Sequence, residues 1–224
     1  MLVSEKIPKE DLKYILEPFK EEEDSKPIIS EKIIVIVRDA NGKIIDKREQ
    51  RMKSLTQYYL GFMSLGILST YSGSTGATAQ SILVNVLSLP SSAYTYQGDC
   101  ADIFFDTSIQ LGSGTQSFSL TLSSLNAPIA NGSGTGQLIY NSQSVSYTSN
   151  SISQLLTVSN SSGNTITVSE IGLLGTIYLQ HYNSSATYTN TNYSFLLSYD
   201  TFSSPVSIPN GGSASFQIVI NFSG

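Results

Sequence analysis

Residues 214–222, ASFQIVINF, decide the fold because apolar and polar side chains alternate along them. In an extended chain, Phe216, Ile218, Ile220 and Phe222 fall on one side and most of the residues between them fall on the other. This period of two is typical of a β-strand that buries one face. It therefore predicts that Ala214–Phe222 is a strand of a sheet with one buried face.

The same alternation recurs from about residue 80 onward, in short runs separated by turns rich in glycine and asparagine. In Ser117–Ser123, for example, Phe118, Leu120 and Leu122 occupy every second position. About ten short strands at this spacing, with no helical pattern between them, predict a mainly β fold, a jelly-roll-like antiparallel β-sandwich. Besides Ala214–Phe222, the predicted strands are Ser81–Leu89, Ala101–Thr107, Ser117–Ser123, Gly136–Tyr140, Gln143–Thr148, Ile152–Val158, Asn164–Val168, Thr176–Tyr182 and Tyr193–Tyr199.

Charge is distributed unevenly along the 224 residues. All 12 lysines and arginines lie before Ser54, and so do twelve of the 17 acidic residues; the remaining five acidic residues follow it. An ordinary soluble surface is roughly 25–35% charged, so neutral hydrogen-bonding side chains must wet the surface after Ser54. Such a surface does not change when carboxylates are protonated, and its stability should depend little on pH. The composition favours exposure to acidic medium outside a cell.

This charge boundary divides the chain into two predicted domains. Residues 1–53 are predicted to be a charged N-terminal arm and hairpin that serve as a docking segment. Residues 54–224 are predicted to form a helix plus the β-sandwich. The hairpin is indicated by Asn41-Gly42, which separates two runs rich in β-branched residues, Glu31–Val37 and Lys43–Glu49.

One or two short helices are predicted beside the sheets. The arm has a helical pattern after Pro8, and it is expected to lie either on its own domain or on a neighbouring subunit. A second pattern predicts a helix of about fifteen residues from Lys53, which would cover one face or end of a sheet. An alternative for this second helix is a position on a membrane surface, although it lacks the usual basic flank.

Composition argues against several classes of partner. Neither half of the chain is basic, so nucleic acid is not an expected partner. The longest apolar run, Tyr58–Leu68, is too short for a membrane span, which needs roughly twenty residues. The first residues, MLVSEKIPKEDLKYILEPF, are too charged for a secretory signal peptide. The single cysteine, Cys100, is expected to be a buried and inert thiol.

Few residues point to catalysis or metal binding. Asp99, Asp102 and Asp106 form the one acidic cluster after Ser54, and carboxylates are ligands that hard cations prefer. The spacing lacks the EF-hand pattern, so a polar loop entering a strand is the competing interpretation. An alternative role for Asp99 and Asp102 is that of the paired catalytic carboxylates of a glycosidase. His181, the only histidine, alternates as a strand residue, and the sequence predicts no enzyme and no cofactor.

Five asparagines begin an N-x-S/T sequence, the acceptor pattern for N-glycosylation. Asn131, Asn160 and Asn183 are beside predicted turns and are the candidate glycosylation sites. Asn221 is within a predicted strand, where an acceptor is unfavourable. In a chain so rich in serine and threonine, several of these sequences are also expected by chance.

Three stretches together resemble a known class of proteins. They are VRDANGKIIDKREQRMKSLTQYYLGF (37–62), ITVSEIGLLG (166–175) and DTFSSPVSIPNGGSASFQIVINF (200–222). Their pattern is similar to virion structural proteins, of the turret or vertex type, of viruses infecting thermoacidophilic archaea, such as turreted icosahedral viruses. The resemblance implies a jelly-roll-like protein that assembles at a capsid vertex, turret or tail junction. It implies no catalytic residues.

The sequence therefore predicts a non-enzymatic virion structural protein, made in the host cytoplasm and exposed outside the cell. Its expected partners are other capsid proteins and further copies of itself around a symmetry axis, and a host surface glycan is a further candidate. Two other functions remain open at this point. One is an extracellular filament or adhesin subunit that exchanges strands, and the other is a carbohydrate-binding β-sandwich.

Overall fold

The computed structural model describes residues 29–52, 55–56, 58–59, 103–182 and 188–222. They form two antiparallel sheets, which confirms the predicted mainly β sandwich. The predicted arm helix and the predicted strand Ser81–Leu89 lie outside these residues. The strands are β1 (Ile29–Arg38), β2 (Ile44–Met52), β3 (Ile103–Gly112), β4 (Ile139–Tyr147), β5 (Ser151–Ser159), β6 (Ile166–Tyr182), β7 (Tyr188–Ile208) and β8 (Ser213–Phe222).

The larger sheet has the strand order β2-β1-β8-β5-β4, and the smaller sheet has the order β3-β6-β7. In β8, the strand predicted from ASFQIVINF, Phe216 and Ile218 are buried as the alternation requires, because β8 is the middle strand of the larger sheet. Their side chains meet residues of the smaller sheet, such as Val168 and Leu197, in one apolar core. Burial of this core is the main force that holds the two sheets together.

The predicted hairpin is confirmed, and it is part of the sandwich. β1 and β2 pair in an antiparallel register around the turn at Asn41-Gly42, where Gly42 has a φ of 79°. β1 also pairs along its whole length with β8, and Ile33 and Val35 are buried in the common core. The hairpin therefore shares one core with strands that follow residue 53, across the predicted domain boundary.

The beginning of the second predicted helix is wrong. Leu55 and Thr56 do not continue a helix from Lys53, because Leu55 makes an antiparallel bridge with Ser198 and the Thr56 amide donates to the Leu197 carbonyl at 2.9 Å. Tyr58 and Tyr59 are in helical conformation as predicted, and the rest of the predicted helix lies outside the described residues.

One of the predicted strands is not a strand in the structure. Ser117–Ser123 belongs to an irregular loop, and its alternating Phe118 and Leu120 are exposed rather than buried. The physical reason lies far away in sequence. The buried carboxylate of Glu170 accepts hydrogen bonds from the Ala127 amide at 2.8 Å and the Asn126 amide at 3.2 Å. These bonds fix the loop against β6 and override its local strand pattern.

Two pairs of predicted strands are single strands in the structure. Gly136–Tyr140 and Gln143–Thr148 are joined in β4, which has a bulge between Tyr140 and Ser142. Asn164–Val168 and Thr176–Tyr182 are joined in β6, which is 17 residues long and has bulges in its register with β7. A bulge accommodates one extra residue without ending the strand, so a break in the alternation does not mark a turn here.

Candidate functional site

The predicted acidic cluster is not assembled by the described residues. Asp99 and Asp102 lie outside them, and Asp106 is an exposed residue of β3 whose carboxylate accepts a hydrogen bond from the Thr107 amide at 2.8 Å. Among the described residues, no group of three or more histidine, cysteine, aspartate or glutamate side chains is placed to hold a metal ion. The backbone of His181 is in β6, opposite Thr189.

The three candidate glycosylation sites have different fates. Asn131 is exposed beside the turn at 132–136. Asn183 lies outside the described residues. Asn160 is only 1% exposed, and its amide nitrogen donates to the carbonyls of Asn164 at 2.7 Å and Ile208 at 2.8 Å. The prediction for Asn160 is therefore wrong for the folded protein, because a glycan has no room on this nitrogen and would displace both hydrogen bonds.

An apolar cavity of about 120 Å³ lies between the two sheets, toward one end of the sandwich. The larger sheet contributes Val145, Ile152 and Ile220 to its wall, and the smaller sheet contributes Leu173 and Leu197. Val145 is 57% exposed and Ile152 is 40% exposed, so this part of the wall is open to solvent. We call this space the end cavity. Its lining suits the burial of apolar groups rather than polar chemistry.

Glu31 lies next to this region, on the inner face of β1. It continues the inward-facing row of Ile33 and Val35, and it pairs in register with Ile220, which lines the end cavity. Its side chain is buried, and neither carboxyl oxygen has a hydrogen-bond partner in the described part of the chain. Burial raises the pKa of Glu31 from 4.5 to about 7. The carboxyl is therefore neutral in acid and costs free energy when it ionises near neutral pH.

Tyr59 is the titratable group that responds to Glu31. It is 5% exposed and lines the end cavity. Burial raises the pKa of the Tyr59 phenol, and the negative charge of Glu31 raises it further. Both groups are neutral in acidic solution, so acid leaves this end of the core without charge.

The hydroxyl-rich surface after residue 103 is built from pairs of side chains across strands. Ser142 contacts Thr157 and Ser146 contacts Ser153, with oxygen–oxygen distances of 2.8 Å in both pairs. All four residues are on the outer side of the β4–β5 pair, opposite the cavity-lining Val145 and Ile152. This surface hydrogen-bonds without using charge.

From Leu197 to Ser204, the outer edge of β7 is covered by side chains and backbone of the first part of the chain. Thr56 donates from its amide to Leu197, as described above. Gln50 of β2 donates to the Thr201 carbonyl at 2.8 Å and accepts from the Ser203 amide at 3.3 Å. Arg48 donates to the carbonyl of Ser204. A further strand would have to displace these groups before it could pair with β7.

The outer edge of β3 is closed by side chains that reach across from β4 and β5. Gln154 donates to the Thr107 carbonyl at 2.6 Å, the Ile109 amide donates to Gln143 at 2.8 Å, and the Leu111 amide donates to the Tyr140 hydroxyl at 3.4 Å. The backbone groups of alternate residues point to the same side of a strand. These contacts therefore occupy the side of β3 that faces away from β6.

The two edges of the larger sheet differ in charge. β2, at one edge, has the sequence IIDKREQRM, with five charged residues among nine. Charged side chains on an edge strand oppose pairing with another chain. β4, at the other edge, has the sequence IYNSQSVSY and no charged residue, and every residue from 141 to 147 is exposed. We call the side of residues 141–147 that faces away from β5, in the plane of the sheet, the β4 edge.

The fold and these features define a class: a β-sandwich whose described surface has few charges outside the β1–β2 hairpin and, among the strand edges described, one that is open and uncharged. No family model, no curated protein and no solved structure matches the chain. Within the described ranges, no helix has the length and apolar character that a membrane crossing needs.

Neither Glu31 nor the β4 edge is among the features predicted from the sequence. The signal for Glu31 was present, because it occupies the next inward position of the alternating row Ile33, Val35 and Val37. The β4 edge had no such signal, since the order of strands in a sheet depends on contacts distant in sequence.

Proposed function

We propose that the protein is a non-enzymatic structural subunit of a virion, at a vertex, turret or tail junction, whose β-sandwich faces acidic medium. Its partners in this proposal are other virion proteins and further copies of itself around a symmetry axis. The protein is made in the host cytoplasm and is exposed outside the cell after assembly.

The observation that carries the proposal is the near absence of charge on the part of the sandwich surface that residues 103–222 form. Between residues 103 and 222 the sequence has three charged residues, Asp106, Glu170 and Asp200. Glu170 is fully buried and Asp200 is 8% exposed, so only Asp106 presents a charge to solvent. A surface of this kind keeps its hydration and its contacts when the medium becomes acidic, because it has almost nothing to protonate.

Glu31 gives the proposal independent support. Most acid-sensitive proteins unfold because carboxylates that are paired in the native state must be protonated. The buried Glu31 carboxyl has the opposite preference, since protonation removes an unpaired charge from the core. A subunit that assembles near neutral pH and then works in acid would gain stability on exposure.

The test is the position of the protein on particles. Antibodies against the sandwich, residues 103–222, are expected to label intact virions at discrete vertices or at the tail, as seen by electron microscopy. An antibody against the peptide 1–28 serves as the comparison, because this peptide is part of the predicted docking segment, residues 1–53, and should be less accessible on assembled particles. Failure of the sandwich antibody to label intact particles would refute the proposal.

The β4 edge favours a second candidate, an extracellular filament subunit to which a neighbouring chain adds a strand. Open edges accept added strands through main-chain hydrogen bonds. This candidate predicts filaments of the purified protein in negative-stain micrographs, whereas the vertex subunit predicts closed oligomers.

A further inference from the structure

Among the described strand edges, the β4 edge is the one that has no charged residue and no backbone hydrogen bond to another element along its outward side. Thr56, Gln50 and Arg48 occupy the edge of β7, and Gln143 and Gln154 occupy the edge of β3. The edge of β2 has both signs of charge. A second copy presents the same set of edges, so strand pairing between two copies joins β4 to β4.

We propose that two copies of the chain pair through their β4 edges, antiparallel and around a two-fold axis at Ser144. A two-fold axis makes the same patch meet itself, and two identical strands related by an axis perpendicular to the sheet are antiparallel. Centring on Ser144 gives the longest overlap of the β4 edge: Asn141 lies opposite Tyr147 of the other copy, and Ser142 lies opposite Ser146. The larger sheets of the two copies then form one continuous ten-stranded sheet.

The side chains of β4 fit this self-pairing. No residue of the strand is charged, so no like charges meet across the axis. Ser142, Ser144 and Ser146 share the outer face, where small hydroxyl groups leave room for the neighbouring strand and hydrogen-bond across it. Val145 is 57% exposed and Tyr147 is 84% exposed on the other face. The pairing places Val145 opposite Gln143 of the other copy and covers part of this exposed apolar surface.

The backbone supplies the binding. An antiparallel overlap of seven residues forms about six to eight new hydrogen bonds between the strands. All the residues concerned already have extended backbone in the structure, so pairing orders little additional chain. The bulge between Tyr140 and Ser142 limits the overlap at one end and so favours a single register. The pairing depends on the strand edge alone and is independent of the virion setting.

The first test is the mass of the full-length protein in solution. Sedimentation velocity over a range of concentrations is expected to show a reversible monomer–dimer equilibrium. Ser144→Lys places two like charges directly opposite each other, and at low salt it is expected to raise the dimer Kd by at least about threefold. Ser133→Lys, in an exposed turn, makes the same change of charge and is expected to leave the Kd unchanged.

The second test reports the position of the contact. In the proposed register the two Ser144 side chains face each other, and directly opposed Cβ atoms in antiparallel strands are about 4.5–5.5 Å apart. Mild oxidation of Ser144→Cys is therefore expected to yield a covalent dimer, whereas Ser133→Cys and the wild-type chain with its Cys100 are not. A chain that stays monomeric at its highest soluble concentration overturns the proposal. So does a dimer that Ser144→Lys does not weaken or that Ser144→Cys does not cross-link, provided that circular dichroism shows the variants to be folded.

Discussion

Replacing Glu31 with glutamine is expected to remove most of the pH dependence of folding between about pH 4.5 and pH 7. Burial holds the pKa of Glu31 at about 7 in the folded chain, against 4.5 for an exposed glutamate. Across this interval the folded state binds a proton that the unfolded state has lost. Stability therefore decreases as the pH rises, by a total of about 3 kcal/mol for this difference in pKa. Below pH 4.5 the carboxyl is protonated in both states and makes no difference.

Glutamine is neutral at every pH and close to the protonated carboxyl in shape. At pH 4 the Glu31→Gln variant should therefore match the wild-type chain, and at pH 8 it should be more stable by about 3 kcal/mol. The groups around Glu31 do not reverse this sign, because Met52 and Ile220 flank it in the sheet and Tyr59 is neutral over the same range of pH.

Urea unfolding monitored by circular dichroism at several pH values measures these differences, since the chain has no tryptophan for fluorescence. Glu49→Gln is the matched control, because Glu49 is an exposed residue of the neighbouring strand and forms a surface ion pair with Lys32 at 3.2 Å. Exposed pairs contribute about 0–1 kcal/mol, so this control should keep the wild-type slope. A wild-type stability that is flat or rises between pH 4.5 and pH 7 would refute the account of Glu31, as would a Glu31→Gln variant with an unchanged slope.

Three further substitutions test the internal contacts by urea unfolding. Asn160→Ala should lower the free energy of unfolding by about 2–4 kcal/mol, because it leaves the buried carbonyl of Ile208 without its donor. Peptide mass spectrometry of the wild-type protein should find Asn160 unmodified, and a glycan there would contradict its burial. Glu170→Gln should lower the free energy of unfolding by about 1–3 kcal/mol and make the loop at 113–127 more sensitive to proteases. A loop that resists proteolysis as well as the wild-type loop does would contradict its tethering by this carboxylate. Gly42→Ala should cost only about 1 kcal/mol, from its positive φ alone, since no atom lies within 4 Å of the added methyl group; a loss several times larger would mean that the hairpin turn is packed.

The elements that were predictable from the sequence are those whose structure is decided locally. β8 follows its own alternation, and the β1–β2 hairpin follows from Asn41-Gly42 between two strand-forming runs. The loop around Phe118 has an equally good alternation and is not a strand, because Glu170 binds its backbone from more than forty residues away. A local sequence pattern indicates which residues favour a strand. It does not indicate which distant residues will hydrogen-bond to the backbone.

The candidate site shows the same limit. Asn160 has a valid acceptor sequence, but its role is set by the carbonyl of Ile208, which the fold brings next to it. The exposure of β4 depends on the order β8-β5-β4, and this order results from pairings between distant segments. Charge was the most informative property of the sequence, since its distribution indicated the charge-poor surface of residues 103–222 without any knowledge of the fold.

The contacts of Gln143, Gln154 and Tyr140 with β3 have a mechanical consequence. On this side, three side chains hydrogen-bond one sheet to the other, whereas within each sheet the strands are joined by continuous backbone hydrogen bonds. Under load, or during thermal fluctuation, the two sheets should separate along this side before the strands within either sheet separate. The amide hydrogens of Ile109 and Leu111 should accordingly exchange with solvent sooner than those of their neighbours bonded to β6.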